Sequence, residues 1–228
     1  MGGRVGVLAL CLGTLFSTGC GGGGSSSSTT AQLRIFEGAA GAPLVNILVD
    51  GSAMASNIGY GSATAYLTVN SGSRHIQAVP VGGGSPIVDK TLSLAASGKQ
   101  TLLITGASSS IHTVVLTDGG TTATTGDGHV RVVNAANTMG PSDAYIVAAG
   151  TSIVGVTPVT ANLAFDSDTG YQLVTLGNYE VFLTKPGTAT VNLATGPLSL
   201  TTGTNTSQTV VVFDAAAGGF TYILFTDQ

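Results

Sequence analysis

Gln32-Leu33-Arg34-Ile35 returns later in the chain as His129-Val130-Arg131-Val132. Leu92-Ser93-Leu94 returns as Leu198-Ser199-Leu200, and Gln100-Thr101-Leu102-Leu103 as Gln208-Thr209-Val210-Val211. Each copy closes alike, with Leu116-Thr117-Asp118 against Phe225-Thr226-Asp227. Thr64-Ala65-Tyr66-Leu67 is matched with Thr160-Ala161-Asn162-Leu163. These are short runs of alternating apolar and polar residues, the pattern of half-buried strands. The chain is therefore read as all-β, with two tandem copies of one unit at residues 31–118 and 129–228. Each unit has about 90–100 residues, the size of an immunoglobulin-like β-sandwich. A propeller blade needs only about 40–50.

Turn residues separate the strands. Asp50-Gly51, Gly82-Gly83-Gly84 and Asp118-Gly119-Gly120 punctuate the first copy, and Asp-Gly favours the positive φ of a two-residue hairpin. Residues 119–128, rich in Gly and Thr, form the linker. Nothing after residue 30 carries a useful helical period.

The chain has 228 residues, of which 8% are charged, against about 25% in ordinary soluble proteins. The net charge is −4. Arg34, Arg74, Lys90, Lys99, Arg131 and Lys185 are spread singly along the sequence. With no basic patch, nucleic acid is excluded as a partner on electrostatic grounds.

The N-terminus gives a compartment. Arg4 precedes a mostly apolar stretch from Val5 to Phe16, the length of a signal-peptide h-region and short of the roughly 17–25 residues of a membrane span. Ser17-Thr18-Gly19-Cys20 follows. Small residues before a cysteine suit a lipoprotein signal, although Ser17 stands where Leu is usual. Residues 1–19 are read as a lipoprotein signal peptide, Cys20 as the lipidated residue, and residues 20–30 as a Gly/Ser tether. Gly21 instead of Asp after the cysteine points to the outer membrane. The other cysteine, Cys11, lies in the leader, so the mature body has no disulfide framework or thiolate metal site.

The strand around Arg34, the Pro43 to Asp50-Gly51 strand and turn, Tyr60 to Val69, and the Gly72 to Pro80 strand together resemble the bacterial family called domain of unknown function 4397. The resemblance implies tandem β-sandwiches on an exported, often lipidated protein, and it implies no activity. The second copy departs further: Asp50-Gly51 is matched with Ala149-Gly150, and Tyr66 with Asn162. Where the family usually has His or a similar polar residue after the first strand, this chain has Glu37 and Asn134.

Chemistry is sparse. His75, His112 and His129 fall singly on three separate predicted strands, and His75 has no acidic sequence neighbour. Metal sites need clustered ligands, so none is assigned. No Gly-x-Ser-x-Gly elbow marks a nucleophile, so no Ser-His-Asp triad is expected. Asp166-Ser167-Asp168 with Thr169 is an ordinary polar turn with too few oxygens for calcium. Glu37 and Asp50 have nothing to bring them together as a glycosidase pair. Tyr60, Tyr66, Tyr145, Tyr171, Tyr179 and Tyr222 could stack on sugars, but their strand positions favour packing.

The expectation is a non-catalytic outer-membrane lipoprotein, lipid-anchored at Cys20, with no cofactor. Its sandwiches would serve as a binding or structural module for an envelope glycan or protein, on the periplasmic or the surface face. The alternatives are an outward-facing adhesin and a polysaccharide hydrolase.

Overall fold

The computed structural model describes residues 1–3, 29–119, 126–201 and 206–227. Cys20, the leader from Arg4 and the tether up to Ser28 lie outside the described residues. Among the described residues the protein is all-β, with no helix.

The first repeat contains β1 (Thr30–Glu37), β2 (Val45–Val49), β3 (Ser52–Ile58), β4 (Ser62–Ala63), β5 (Leu67–Asn70), β6 (Gly72–Pro80), β7 (Val88–Leu94), β8 (Lys99–Ala107) and β9 (Ser110–Asp118). The second contains β10 (Asp127–Asn134), β11 (Ser142–Ala148), β12 (Thr160–Leu163), β13 (Ser167–Asp168), β14 (Gln172–Thr175), β15 (Gly177–Thr184), β16 (Val191–Ala194), β17 (Leu198–Leu200), β18 (Ser207–Asp214) and β19 (Phe220–Thr226). β10 thus starts at Asp127, inside the stretch read as linker.

Each repeat is a two-sheet sandwich. In the first, an inner sheet runs β4/β5-β1-β8-β9 and an outer sheet β3-β2-β6-β7. In the second, the inner sheet runs β13/β14-β10-β18-β19 and the outer sheet β12-β11-β15-β16/β17. Side chains alternate between faces along a strand. Leu33 and Ile35 therefore join Ile47, Ile76, Leu102 and Ile104 in one core, while Val130, Val132, Val181, Leu183 and Val210 build the second. A third core unites Phe36, Leu103 and Leu116 of the first repeat with Val133, Val211, Phe213 and Phe225 of the second. The two inner sheets thus pack on each other, and the molecule has four layers. This explains the near-continuous burial of β1, β8, β10 and β18: central strands covered on both faces carry apolar residues on both.

Strand register corrects one repeat correspondence. Leu33 pairs with Leu67, and Val130 pairs with Gln172. Thr64 Oγ1 accepts from Ile35 N, as Thr169 Oγ1 accepts from Val132 N. Thr64-Ala65-Tyr66-Leu67 therefore matches Thr169-Gly170-Tyr171-Gln172, and the counterpart of Tyr66 is Tyr171, not Asn162. Asn162 matches Asn57 on the outer sheet. Both have positive φ, 53° and 58°, and their amides cap the side chains of Asp143 and Asn46. The turn match also shifts. Val49 pairs with Ile76 and Ile146 with Val181, so Asp50 lies level with Val147, and β11 runs on past that level to Ala148.

One glycine is fixed by a close approach. Gly106 in β8 has φ +88°, and a Cβ there would lie 2.3 Å from the Ser110 carbonyl oxygen. Gly106→Ala is expected to cost about 2 kcal/mol or more, read as a lowered denaturation midpoint with an unchanged m-value.

Candidate functional site

The most distinctive chemistry lies between the two inner sheets. Arg34 and Arg131 sit at matching positions of β1 and β10, both buried. Arg34 Nε donates to Thr101 Oγ1 of its own repeat at 2.9 Å. Its other nitrogens cross the interface, to the Thr226 carbonyl at 3.2 Å and to Asp227 Oδ1 at 2.5 Å. Arg131 reciprocates. Its Nε donates to Thr209 Oγ1 at 3.0 Å, and its terminal nitrogens reach the Thr117 carbonyl at 3.0 Å and Asp118 Oδ1 at 2.6 Å. Thr101 and Tyr66 donate to Asp118, and Thr209 and Tyr171 to Asp227. Tyr66 and Tyr171 also lie against the guanidinium carbons of Arg34 and Arg131, at 4.6 and 4.5 Å from the ring centres.

Two cations and two anions therefore neutralise one another out of water. Each repeat lends its aspartate to the other's arginine, as in a symmetric dimer. Burial raises the Tyr66 phenol well above its usual range and pushes Tyr171 up to about 12, so both remain neutral donors. This cluster has no spare group to hold a ligand; its chemistry is that of a lock.

Sequence reasoning missed the cluster although its signal was present: Arg34/Arg131 and Asp118/Asp227 recur at equal places in the two copies. Read singly they are scattered charges. Read as pairs on doubly covered strands, they demand partners.

Further along the interface, Phe36 makes edge contacts with Phe213 and Phe225, at 5.2 and 6.1 Å between ring centres. Tyr60 packs on Phe213 and donates to the Asp214 carbonyl. Moving from Arg34 to Phe36 along β1 thus moves from Asp227, which accepts from Thr209 of β18, towards Phe213 further along β18. Since β18 is parallel to β10, β1 and β10 advance together, and the pseudo-twofold axis runs along the strands.

That direction places two clefts at one end of the molecule. One, of about 410 Å³, lies between the sheets of the first repeat beside Thr30, Val49, Met54 and Val69. The other, of about 510 Å³, occupies the matching place in the second repeat beside Ile146, Val174, Leu176 and Tyr179. Both flank the start of the first strand of their repeat, the end at which the chain enters from residue 29.

The residues singled out in sequence are scattered. His75 lies across the strand pair from Asp89 at 2.6 Å, in a solvent-facing network with Gln77; the carboxylate that the sequence did not place beside it arrives from β7. Hydrogen bonds from His75 and Gln77 hold the Asp89 carboxyl below its usual range. His129 is buried against Tyr171. Asp50 accepts from the His75 amide and Arg74, far from Glu37 in function, which caps the Ala39 amide. Asp166 and Asp168 diverge, Asp168 to the Gly170 amide and Asp166 to His112. Among the described residues, no three His, Cys, Asp or Glu side chains gather to hold a metal.

One grouping runs against expectation. Ser110 Oγ lies 3.3 Å from His112 Nε2, and His112 Nδ1 lies 2.9 Å from Asp166 Oδ2. The order is that of a hydrolytic triad, assembled across the repeat interface. Ser110 is exposed on a hairpin strand rather than on a strained elbow, and none of these three residues lines either cleft.

No curated protein matches the chain. The model of the family described as domain of unknown function (DUF4397) matches residues 31–145. That stretch covers the first repeat whole, then β10 with Arg131, and ends at Tyr145 in β11. The chain belongs to the DUF4397 family.

Proposed function

We propose that the protein is a non-catalytic outer-membrane lipoprotein, anchored through acylated Cys20, whose fused sandwiches serve as a binding or structural module for an envelope glycan or protein. The observation that supports this most is the reciprocal Arg34–Asp227 and Arg131–Asp118 lock. It makes one rigid body of two sandwiches and keeps both clefts at one end, a geometry suited to presenting surfaces rather than to moving parts around a reaction. Two or three acyl chains on one cysteine give stable membrane attachment.

Mass spectrometry of the mature N-terminus tests the anchor. The expected product begins at Cys20 and is heavier by two or three acyl chains, and Cys20→Ser shifts the protein from the membrane pellet to the soluble fraction. An unmodified Cys20 with cleavage elsewhere would remove the anchor from the proposal.

The hydrolase reading has one observation in its favour, the Ser110–His112–Asp166 chain. On the binding reading, p-nitrophenyl acetate turnover by the wild type equals that of Ser110→Ala. Turnover that this substitution abolishes would make the protein an esterase instead.

A further inference from the structure

One buried polar group in the first repeat lacks what its counterpart in the second has. Asn134 Oδ1 accepts from Ala136 N, and its amide nitrogen donates to the Gly140 carbonyl at 2.9 Å and the Leu163 carbonyl at 3.2 Å. Glu37 takes the same place on β1. Its Oε1 accepts from Ala39 N at 2.9 Å. Its Oε2, in a fully buried side chain, has no hydrogen-bond partner among the described residues.

Register identifies the carbonyls at the matching places. Val45 pairs with Ile58 as Ser142 pairs with Leu163. Ala42 N donates to Ala39 O as Met139 N does to Ala136 O. The counterparts of the Leu163 and Gly140 carbonyls are therefore those of Ile58 and Pro43. Both are acceptors, and a carboxylate would meet them with a third. A protonated carboxyl carries one donor and can serve one of them as the Asn134 amide serves its pair.

The chain beside Glu37 is lightly held. Gly61 N donates to the Glu37 carbonyl and Ser62 N to the Gly59 carbonyl, and β4 pairs with β1 through two residues, Ser62 and Ala63. Between Ile58 and Ser62, Tyr60 reaches the second repeat, where its ring packs on Phe213 and its hydroxyl donates to the Asp214 carbonyl. Tyr60 and, beyond it, Asp214 are the titratable groups on this side: burial, Asp214 and Glu37 together raise the Tyr60 phenol. Burial pushes the Glu37 carboxyl up to about 7, and the Ala39 amide opposes.

We infer that Glu37 is a proton-operated latch: its protonated carboxyl donates to the Ile58 or Pro43 carbonyl and holds residues 58–62 shut, and loss of the proton lets that segment open and lifts Tyr60 off the second repeat. An unpaired buried charge is costly, whereas opening a short surface segment is cheap, so the carboxyl ionises by reaching water through the open form. The closed form keeps its proton to about pH 7 and a hydrated carboxyl releases it near 4.5, so opening grows as pH rises between these values. Asn134 carries no charge, so the matching segment of the second repeat stays shut at every pH. The Arg34–Asp227 and Arg131–Asp118 pairs hold the repeats together while the Tyr60 end loosens.

The test is hydrogen exchange on the isotope-labelled full chain. Protection of the Ala39 and Gly61 amides, corrected for intrinsic exchange, is expected to fall about tenfold or more from pH 5 to pH 8. Low denaturant should leave that exchange unchanged, as for a local opening, while Val132 and Val210 follow global unfolding. The Tyr60 ring signals should move over the same pH range. Glu37→Gln keeps a donor without the charge and should flatten both responses. Tyr60→Phe loses the bond to Asp214 and should open more at every pH with its pH dependence intact. Protection that ignores pH, or a response that survives Glu37→Gln, overturns the inference. So does a Tyr60→Phe protein that opens no more than the wild type or loses its pH dependence. Ala39 and Gly61 amides that exchange only together with Val132 and Val210 would remove the latch and leave a pH-dependent global stability standing.

Discussion

Arg34→Met is expected to lower stability by about 3–5 kcal/mol, the cost of removing one partner from a buried ion pair. Asp227 loses its 2.5 Å partner and keeps, among the described residues, the distant Arg131 at 3.9 Å, Tyr171 and Thr209. Asp118 keeps Arg131 at 2.6 Å. The interface is left with one net negative charge out of water. For a chain of this size each kcal/mol moves the melting temperature by about 2–4 °C, so the loss is large enough to read by calorimetry. High salt should not reduce it, because buried pairs are weakly screened. Arg34→Met with Asp227→Asn restores neutrality and should recover much of the loss, giving a coupling energy within the 0.5–3 kcal/mol range of contacting residues. If the two effects simply add, the cluster is not a lock. Arg131→Met should behave alike but cost slightly less. Arg34 also lies 3.9 Å from the Phe225 ring centre, worth about 0.5–1 kcal/mol or more, and the residue matching Phe225 in the first repeat is Leu116.

The repeat, the all-β class and the family were legible because strands write their period and turns into sequence. Gln100 and Gln208, or Leu94 and Leu200, take equal places in the register. The alignment failed where an outer-sheet strand imitates an inner-sheet one in letters. Thr160-Ala161-Asn162-Leu163 resembles Thr64-Ala65-Tyr66-Leu67, yet Asn162 is placed by its positive φ and its cap on Asp143, which sequence similarity does not weigh. The long segment between β11 and β12 has no counterpart in the first repeat and displaced the match. The lock stayed hidden for another reason. An arginine in mid-strand reads as a solvent-facing charge unless both faces of its sheet are known to be covered, and the second cover here is the other repeat. The Ser110–His112–Asp166 chain joins residues of different repeats, a proximity that no local pattern encodes.

Glu37 is expected to make the protein less stable as pH rises from about 4.5 to about 7. Its side chain is fully buried. One oxygen accepts from the Ala39 amide at 2.9 Å, and the other has no hydrogen-bond partner among the described residues. Burial pushes the carboxyl up to about 7, with the Ala39 amide opposing. The folded state thus keeps a proton that the unfolded chain releases above about pH 4.5, so the unfolded state binds fewer protons and stability falls with pH. Below 4.5 both states are protonated and no penalty exists; above 7 it is complete, at about 3 kcal/mol. The matching residue in the second repeat shows the remedy. Asn134 caps Ala136 N through its oxygen and donates its amide nitrogen to the Gly140 and Leu163 carbonyls, so it carries no charge at any pH. Glu37→Gln should therefore equal the wild type near pH 4 and exceed it by about 2–3 kcal/mol at pH 8, measured as denaturant midpoints across the range. A constant difference between the two proteins from pH 4 to 8 would mean that Glu37 releases its proton over the same pH range folded and unfolded, so that burial does not raise its carboxyl.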